Sequence, residues 1–203
     1  MTNGNGTRAS AAWISARLRG VSTDPATIHR ARNPGRSDRL WIVDASQIWG
    51  GTRWLYFAFV LDCFSRRCLG WSPHGVPHAT LAHRALTEAT EGYGRPSRQD
   101  PVALVFGRRS RDAGLDFPDW AIPSAADAAA AESFLGSMRR DLLDQDEDES
   151  PWSSAAGAQE AIRTWIAEDY NPAVAPRRFA PGSGAARGTT GAARATAATA
   201  GAR

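Results

Sequence analysis

Residues 39–71 constrain the fold more than any other part of the chain. They read RLWIVDASQIWGGTRWLYFAFVLDCFSRRCLGW. Residues 40–43 are apolar at successive positions, so both faces of this segment need cover, which is typical of a central strand flanked by helices. Asp44 follows directly. A single acid at the end of a buried strand is usually a cap or a turn former, and the residues alone leave open whether Asp44 has a chemical role.

Two further strands are predicted in the same stretch. Gly50 and Gly51 favour a tight hairpin turn, because glycine adopts positive φ angles at little cost. Residues 54–61 then predict a second, almost wholly apolar strand, and residues 67–71 predict a third.

A second acid, Asp62, is predicted to have a structural role. In a hairpin that turns at Gly50 and Gly51, Asp62 lies opposite Arg39. It is then about 16 Å from Asp44, at ~3.3 Å per residue, which is too far to share a metal ion. We expect its carboxylate to accept backbone hydrogen bonds in the turn that follows.

Helices are predicted in the second half of the chain. Residues 78–92 and 155–170 have apolar residues at helical spacing. Residues 124–143 predict the longest helix, with Asp127 as its candidate N-cap. Residues 116–123 predict a short edge strand.

The two ends of the chain differ from its middle. Within an N-terminal segment and linker, residues 1–38, residues 11–32 predict either two short helices of a helix-turn-helix or a frayed amphipathic segment. Residues 172–203 contain no acid, leucine or isoleucine, which predicts a disordered tail rich in alanine, glycine and arginine.

Three stretches together resemble the integrase core of bacterial insertion-sequence transposases. The first is LYFAFVLDCFSRRCLGW at residues 55–71, after the strand-ending aspartate and the turn. The second is AESFL at residues 131–135 with residues 138–143, and the third is WIAEDYN at residues 165–171. The resemblance covers residues 39–171. It implies an α/β fold of the ribonuclease H type, shared with retroviral integrases, in which helices flank a mixed five-stranded sheet.

The same resemblance implies a site. In this family an Asp-Asp-Glu triad binds two Mg²⁺ (or Mn²⁺) ions ~4 Å apart, which cut a DNA strand and join it to a target. Asp44 matches the first acid, and Glu132 matches the last. Glu132 lies at the edge of the apolar stripe of its helix, so an ion pair with arginines of the same helix is an open alternative.

The middle of the chain departs from the family pattern. There the fourth strand ends in the second acid, within a His-Ser-Asp-Xaa-Gly-Ser-like stretch, and a helix follows. Residues 104–114, LVFGRRSRDAG, resemble that following helix, so the acid-bearing segment is expected to be deleted or replaced. Asp100 is the only nearby substitute, although it precedes the apolar run 102–106 instead of following it. The candidate catalytic and metal-binding residues are therefore Asp44, Asp100 and Glu132.

Composition permits a nucleic-acid partner without requiring one. All 24 basic residues are arginine, the formal net charge is +3 and the isoelectric point is near 9.4. Cys63 and Cys68 are too closely spaced to indicate a disulfide framework, which favours a reduced, cytoplasmic compartment. No apolar run reaches the ~18 residues of a membrane-spanning helix.

The resemblance thus implies a transposase or integrase core protein that acts in DNA integration at the bacterial nucleoid, by metal-dependent strand cleavage and transfer. Its partners would be the transposon ends and the target DNA. A homo-oligomer is expected because two element ends must be brought together. Two alternatives stay open: a non-catalytic protein that holds transposon ends, and an inactive remnant with little cooperative unfolding and no preference for DNA.

Overall fold

The structure is a computed structural model that describes residues 9–10, 14, 18–32, 35–75, 80–92, 96–97, 99–112, 114–143 and 151–174. The predicted C-terminal tail lies outside the described residues from residue 175 onward, as do residues 1–8.

Five strands form one mixed sheet. The strands of the described residues are β1 (Ala9–Ser10), β2 (Val21–Ser22), β3 (Leu40–Trp49), β4 (Trp54–Asp62), β5 (Cys68–His74), β6 (Val102–Phe106) and β7 (Leu115–Asp116). The sheet has the order β2-β6-β3-β4-β5, in which β2, β6 and β3 are parallel and β4 is antiparallel to both of its neighbours. β1 and β7 form a separate parallel pair. The predicted α/β fold with a mixed five-stranded sheet is confirmed, and the arrangement is consistent with a ribonuclease H-like fold.

β3 is the central strand because both of its edges are paired. β4 pairs with it along nearly its whole length. β6 pairs only with its first part, as far as Val43, which lies opposite Phe106. The side chains of residues 40–43 are fully buried, as the apolar run predicts.

Helices pack against the sheet. In chain order they are α1 (Pro25–Ala31), α2 (Thr80–Gly92), α3 (Arg109–Asp112), α4 (Ala125–Leu142), α5 (Ala155–Thr164) and α6 (Asn171–Val174), with a π-helical segment, Trp165–Tyr170, between α5 and α6. The helices predicted over residues 78–92, 124–143 and 155–170 are confirmed. Within the described ranges, no helix combines the length and the apolar character needed to cross a membrane.

The N-terminus of α4 is fixed by a capping box. The Ser124 hydroxyl accepts a hydrogen bond from the Asp127 N–H (3.3 Å), and the Asp127 carboxylate accepts one from the Ser124 N–H (3.1 Å). Ser124 is therefore the N-cap. The prediction of Asp127 for that position was wrong by three residues, because Asp127 is the reciprocal partner in the box.

The loop between β3 and β4 is longer than predicted. It comprises residues 50–53 and not only the two glycines. A hydrogen bond from the Gly50 N–H to the Arg53 carbonyl oxygen (2.9 Å) closes it. Gly51 has the positive φ angle, 85°, that favours glycine.

The longer loop changes the strand register. Asp62 lies opposite Trp41, and not opposite Arg39 as the shorter turn would require. Its predicted structural role is confirmed. The Asp62 carboxylate accepts hydrogen bonds from the Ser65 N–H (2.8 Å), the Ser65 hydroxyl (2.6 Å) and the Asp38 N–H (3.2 Å).

The edge of the sheet beside β6 also differs from the prediction. Residues 116–123 were predicted to form an edge strand, but they contain only the end of β7 and a 3₁₀ turn, Asp119–Ala121. Pro118 lacks the N–H group that a ladder would need, which explains the early end of β7. The edge position is taken by β2, with Val21 opposite Val102.

The N-terminal segment contributes to the core. Of the two helices predicted within residues 11–32, α1 is present, and the Asp24 carboxylate caps it by accepting a hydrogen bond from the Thr27 N–H (2.8 Å). Val21 lies in a strand and not in a helix. Residues 11–13 and 15–17 of the other predicted helix lie outside the described residues.

Tyr170 and Asn171, at the end of the core, form hydrogen bonds with the backbone at and beside β5. The buried Asn171 side chain accepts a hydrogen bond from the Cys68 N–H (2.8 Å) and donates one to the Cys68 carbonyl oxygen (2.9 Å). The Tyr170 hydroxyl donates to the Arg66 carbonyl oxygen (2.9 Å). Burial raises the pKa of Tyr170 to about 12.

Replacing Asn171 with alanine should destabilise the protein. Asn171→Ala leaves the buried N–H and carbonyl groups of Cys68 without partners, at a cost of about 2–4 kcal/mol in the free energy of unfolding. Urea unfolding followed by tryptophan fluorescence measures this cost. Glu168→Ala, at an exposed position of the neighbouring π-helical segment, is the control and should change stability by less than about 0.5 kcal/mol. Equal stability of the two variants would contradict the stabilising role of the Asn171 hydrogen bonds.

Candidate functional site

Asp44 lies at the point where β6 ends and β3 continues. It follows Val43, the last residue of β3 that pairs with β6. Its side chain is buried, with 4% of the residue exposed, and its Oδ1 atom accepts a hydrogen bond from the Ala45 N–H (2.9 Å). The central strand of the sheet, and not a loop, therefore positions this carboxyl group.

Burial raises the pKa of Asp44 to about 6, because the charged form loses its hydration. The Ala45 N–H and the positive charge of Arg109 oppose this rise by stabilising the carboxylate. The negative charge of Glu132 adds to it. Asp44 and Glu132 are therefore close enough to interact electrostatically, and Arg109 acts on both.

Arg109 is paired with Glu132. Its guanidinium group donates hydrogen bonds to both carboxylate oxygens of Glu132, at 2.8 and 3.4 Å. α3, which carries Arg109, is anchored to β3 because the Ser110 hydroxyl donates to the Val43 carbonyl oxygen (3.2 Å). Glu132 lies on the exposed side of α4. Its ionic partner is thus on a different element, and the alternative of an ion pair within its own helix is not observed.

The structure does not bring Asp100 to the other two acids. Asp100 precedes β6, whereas Asp44 lies beside the other end of that strand, which separates them by on the order of 20 Å. Asp100 forms ion pairs with Arg36 (2.6 Å) and with Arg39. The hydrogen bond from Arg36 holds the pKa of the Asp100 carboxyl group below its usual value.

Gly107 is the residue of the neighbouring strand end that lies against Asp44. It follows Phe106, and its N–H donates a hydrogen bond to the Val43 carbonyl oxygen (2.8 Å). A Cβ atom on Gly107 would lie 2.1–2.4 Å from the carboxyl atoms of Asp44. The Asp44 side chain therefore occupies space that is available only because residue 107 has no side chain.

The structure corrects the interpretation of residues 104–114. They were predicted to form the helix after a lost strand end, but residues 102–106 form β6, and α3 begins only at Arg109. β6 is the fourth strand of the core, and the family pattern has its second acid where that strand ends. The strand itself is therefore present, and Gly107, not an acid, follows it directly.

A cavity of about 400 Å³ opens beside these residues. Polar side chains from four elements line it: Ser46 and Gln47 of β3, Tyr56 of β4, Arg109 and Asp112 of α3, and Arg139 of α4. Arg139 has no acidic partner among the residues that the structure describes. Arg109 is already paired with Glu132, and Asp112 adds a negative charge, so Arg139 is the group of this lining that suits an anionic ligand such as a phosphate group.

The side chains at this site do not fit a divalent metal ion held by three acids. Across the described ranges, no three acids, histidines or cysteines lie close enough together to hold a metal ion. Mg²⁺ and Mn²⁺ require several oxygen ligands. Asp44 and Glu132 supply two carboxyl groups, and the positive charge beside them belongs to Arg109. The catalytic role of the two acids stays a prediction.

Sequence reasoning missed Gly107 and Arg109. A glycine has no functional group, so a search for acids passes over it. The available signal was the apolar run of residues 102–106 followed at once by Gly-Arg-Arg, which indicates a buried strand and the turn that ends it.

The raised pKa of Asp44 predicts a pH-dependent loss of stability. The pKa of Asp44 is about 3.8 in the unfolded chain and about 6 in the folded protein, so between these pH values the folded protein binds more protons. The contribution of Asp44 to the free energy of unfolding is therefore full below pH 4 and is lost as pH rises through 6. Asp44→Asn removes the titration. The free energy of unfolding of this variant, relative to that of the wild type, should rise by roughly 2–3 kcal/mol from pH 4 to pH 8.

Urea unfolding at pH 4, 6 and 8 measures this difference. The control is Asp116→Asn, which removes an exposed carboxyl group of β7. Parallel stability profiles for the wild type and Asp44→Asn would contradict the raised pKa.

Comparison with known proteins finds relatives among insertion-sequence transposases, whereas no protein-family model matches the chain. A protein of Mycobacterium tuberculosis named as a transposase for IS986/IS6110 is 26% identical over 164 residues, which cover 70% of this chain and 57% of the relative. The IS629 transposase of Shigella sonnei is 26% identical over 139 residues, 64% of this chain and 45% of the relative.

A third relative matches a shorter part. The Escherichia coli protein named as the transposase InsO for IS911B is 41% identical over 59 residues, 29% of this chain and 30% of the relative. The chain thus spans between 30% and 57% of the length of these relatives. Over the parts that match, the chain is similar to insertion-sequence transposases.

Proposed function

We propose that residues 39–171 form the ribonuclease H-like integrase core of an insertion-sequence transposase, and that this core binds DNA in the course of DNA integration. The strand order supports the proposal, as do the transposase relatives and the presence of Asp44 and Glu132 on β3 and α4. The partners would be transposon ends and target DNA at the bacterial nucleoid, held by a homo-oligomer that brings two ends together.

The cavity beside Asp44 is the observation that carries the DNA-binding proposal. Arg139, which has no acidic partner among the described residues, lines it together with Ser46 and Gln47, beside the Glu132-paired Arg109 and the Asp112 carboxylate. Guanidinium groups form paired hydrogen bonds with phosphate oxygens. Their attraction for a phosphate backbone does not depend on a metal ion.

Strand cleavage by two metal ions is not supported by the residues present. Such a reaction needs carboxylates from three elements around the metal ions. Here Asp44 and Glu132 share Arg109, and Asp100 is paired with Arg36 and Arg39 at a distance. Mg²⁺ or Mn²⁺ would be a cofactor only of a site with a further acid. The function proposed for this chain is therefore to hold DNA without cutting it.

Binding of DNA should depend on Arg139. We expect Arg139→Ala to weaken binding of a fluorescein-labelled duplex about three- to tenfold and to lower the salt dependence by about one phosphate contact. Fluorescence anisotropy in EDTA, at several salt concentrations, measures both effects. Arg140→Ala is the matched control, because it removes the same charge from the same helix outside the cavity lining. Equal losses in both variants would contradict binding at this cavity.

A plasmid assay separates this function from cleavage. The wild-type chain should bind supercoiled plasmid and should not nick it in Mg²⁺ or Mn²⁺. Nicking that is lost in both Asp44→Asn and Glu132→Gln would instead show a working catalytic site and overturn the non-catalytic proposal. A chain that melts cooperatively but binds no DNA would overturn the DNA-binding proposal as well.

A further inference from the structure

Glu132 is paired with a cation of the chain itself, Arg109, beside Asp44. The Arg109 guanidinium donates two hydrogen bonds to Glu132, and its positive charge also stabilises the Asp44 carboxylate. An arginine side chain keeps its positive charge in proteins. The two carboxyl groups are therefore compensated by a permanent charge that belongs to the chain itself.

Gly107 leaves free the space that the Asp44 carboxyl group occupies. A side chain at residue 107 would collide with the Asp44 carboxyl group, because the nearest approach of a Cβ atom is 2.1 Å. The atoms at risk are the end of a side chain and not backbone, so Asp44 could rotate to admit a larger residue. A carboxyl group at residue 107 would then stand beside Asp44 on the adjoining strand end.

We propose that Arg109 takes the place of a divalent cation at this site, and that Gly107 and Arg109 together determine which kind of cation the two acids hold. Gly107 withholds the third carboxyl group that a divalent cation would need. Arg109 supplies a fixed positive charge to Asp44 and Glu132. The combined substitution of Gly107→Asp and Arg109→Gly should therefore convert the site from a guanidinium site to a divalent-cation site.

The physical basis is the difference between the two kinds of cation. Mg²⁺ and Mn²⁺ bind through several oxygen ligands and gain most from carboxylates. A guanidinium group needs only one carboxylate in the right orientation for two hydrogen bonds. With two acids available, the guanidinium satisfies the site. With three acids and no guanidinium, the excess negative charge favours a divalent ion.

Direct titration with Mn²⁺, followed by the electron paramagnetic resonance signal of the free ion, tests the proposal. The wild type should bind weakly, and the double variant should bind at least about tenfold more tightly. Adding Glu132→Gln to the double variant should return binding to the wild-type level. Mn²⁺ should also raise the melting temperature of the double variant only, because a ligand that binds the folded state stabilises it.

A matched control separates a built site from a general change in charge. Gly92→Asp with Arg84→Gly makes the same two kinds of substitution at exposed positions of α2, where a Cβ on Gly92 meets nothing within 4 Å. This control should bind Mn²⁺ as weakly as the wild type. Equal gains in the control and the double variant would overturn the proposal.

Two further outcomes decide against it. Wild-type protein that binds Mn²⁺ as tightly as the double variant, and loses that binding in Glu132→Gln, would show that the guanidinium does not exclude the metal ion. A double variant that melts cooperatively without a gain in Mn²⁺ affinity would show that residue 107 cannot supply the missing ligand.

The single variant Arg109→Gly covers the case in which the double variant does not fold, because it adds no side chain. It should bind Mn²⁺ about threefold more tightly than the wild type, and an unchanged affinity would overturn the proposal. The inference does not rest on the DNA-binding function, since ion binding and DNA binding are measured separately.

Discussion

β3 extends past the end of β6, and this difference in strand length creates the site. Up to Val43 the central strand has a partner on each side, and from Asp44 onward its only strand partner within the described ranges is β4. The chain leaves the sheet at Gly107 and enters α3 two residues later. Asp44, Gly107 and Arg109 therefore lie near the place where β6 ends and β3 continues. Glu132 of α4 is held there by its hydrogen bonds with Arg109.

Much of the fold could be predicted because it depends on long, regular patterns. The apolar run at residues 40–43 indicated the central strand, and helical spacing indicated α2, α4 and α5. The errors fall where few residues decide the structure. β2 has only two residues, and the register of the β3–β4 hairpin depended on whether its loop contained two or four residues.

The candidate site was predicted less completely, for a chemical reason. Asp44 and Glu132 could be assigned because acids are recognisable and because the surrounding residues resemble a known core. Asp100 was selected for its carboxyl group, although its place before the apolar run put it at the opposite end of β6. Gly107 was passed over because its importance lies in a missing side chain, which only the approach of Asp44 reveals. The pairing of Arg109 with Glu132 joins residues far apart in sequence, and no local pattern indicates it.

β5 is an edge strand, and an open edge can pair with a strand of another copy of the chain. Two polar side chains occupy backbone groups along this edge. The Asn171 side chain forms hydrogen bonds with both the N–H and the carbonyl oxygen of Cys68. The Glu88 carboxylate accepts a hydrogen bond from the Trp71 N–H (3.0 Å). At the opposite edge, β2 offers only a two-residue strand. Among the described residues, a strand of another copy would therefore compete with Asn171 and Glu88 at one edge of this sheet and find only two residues to pair with at the other.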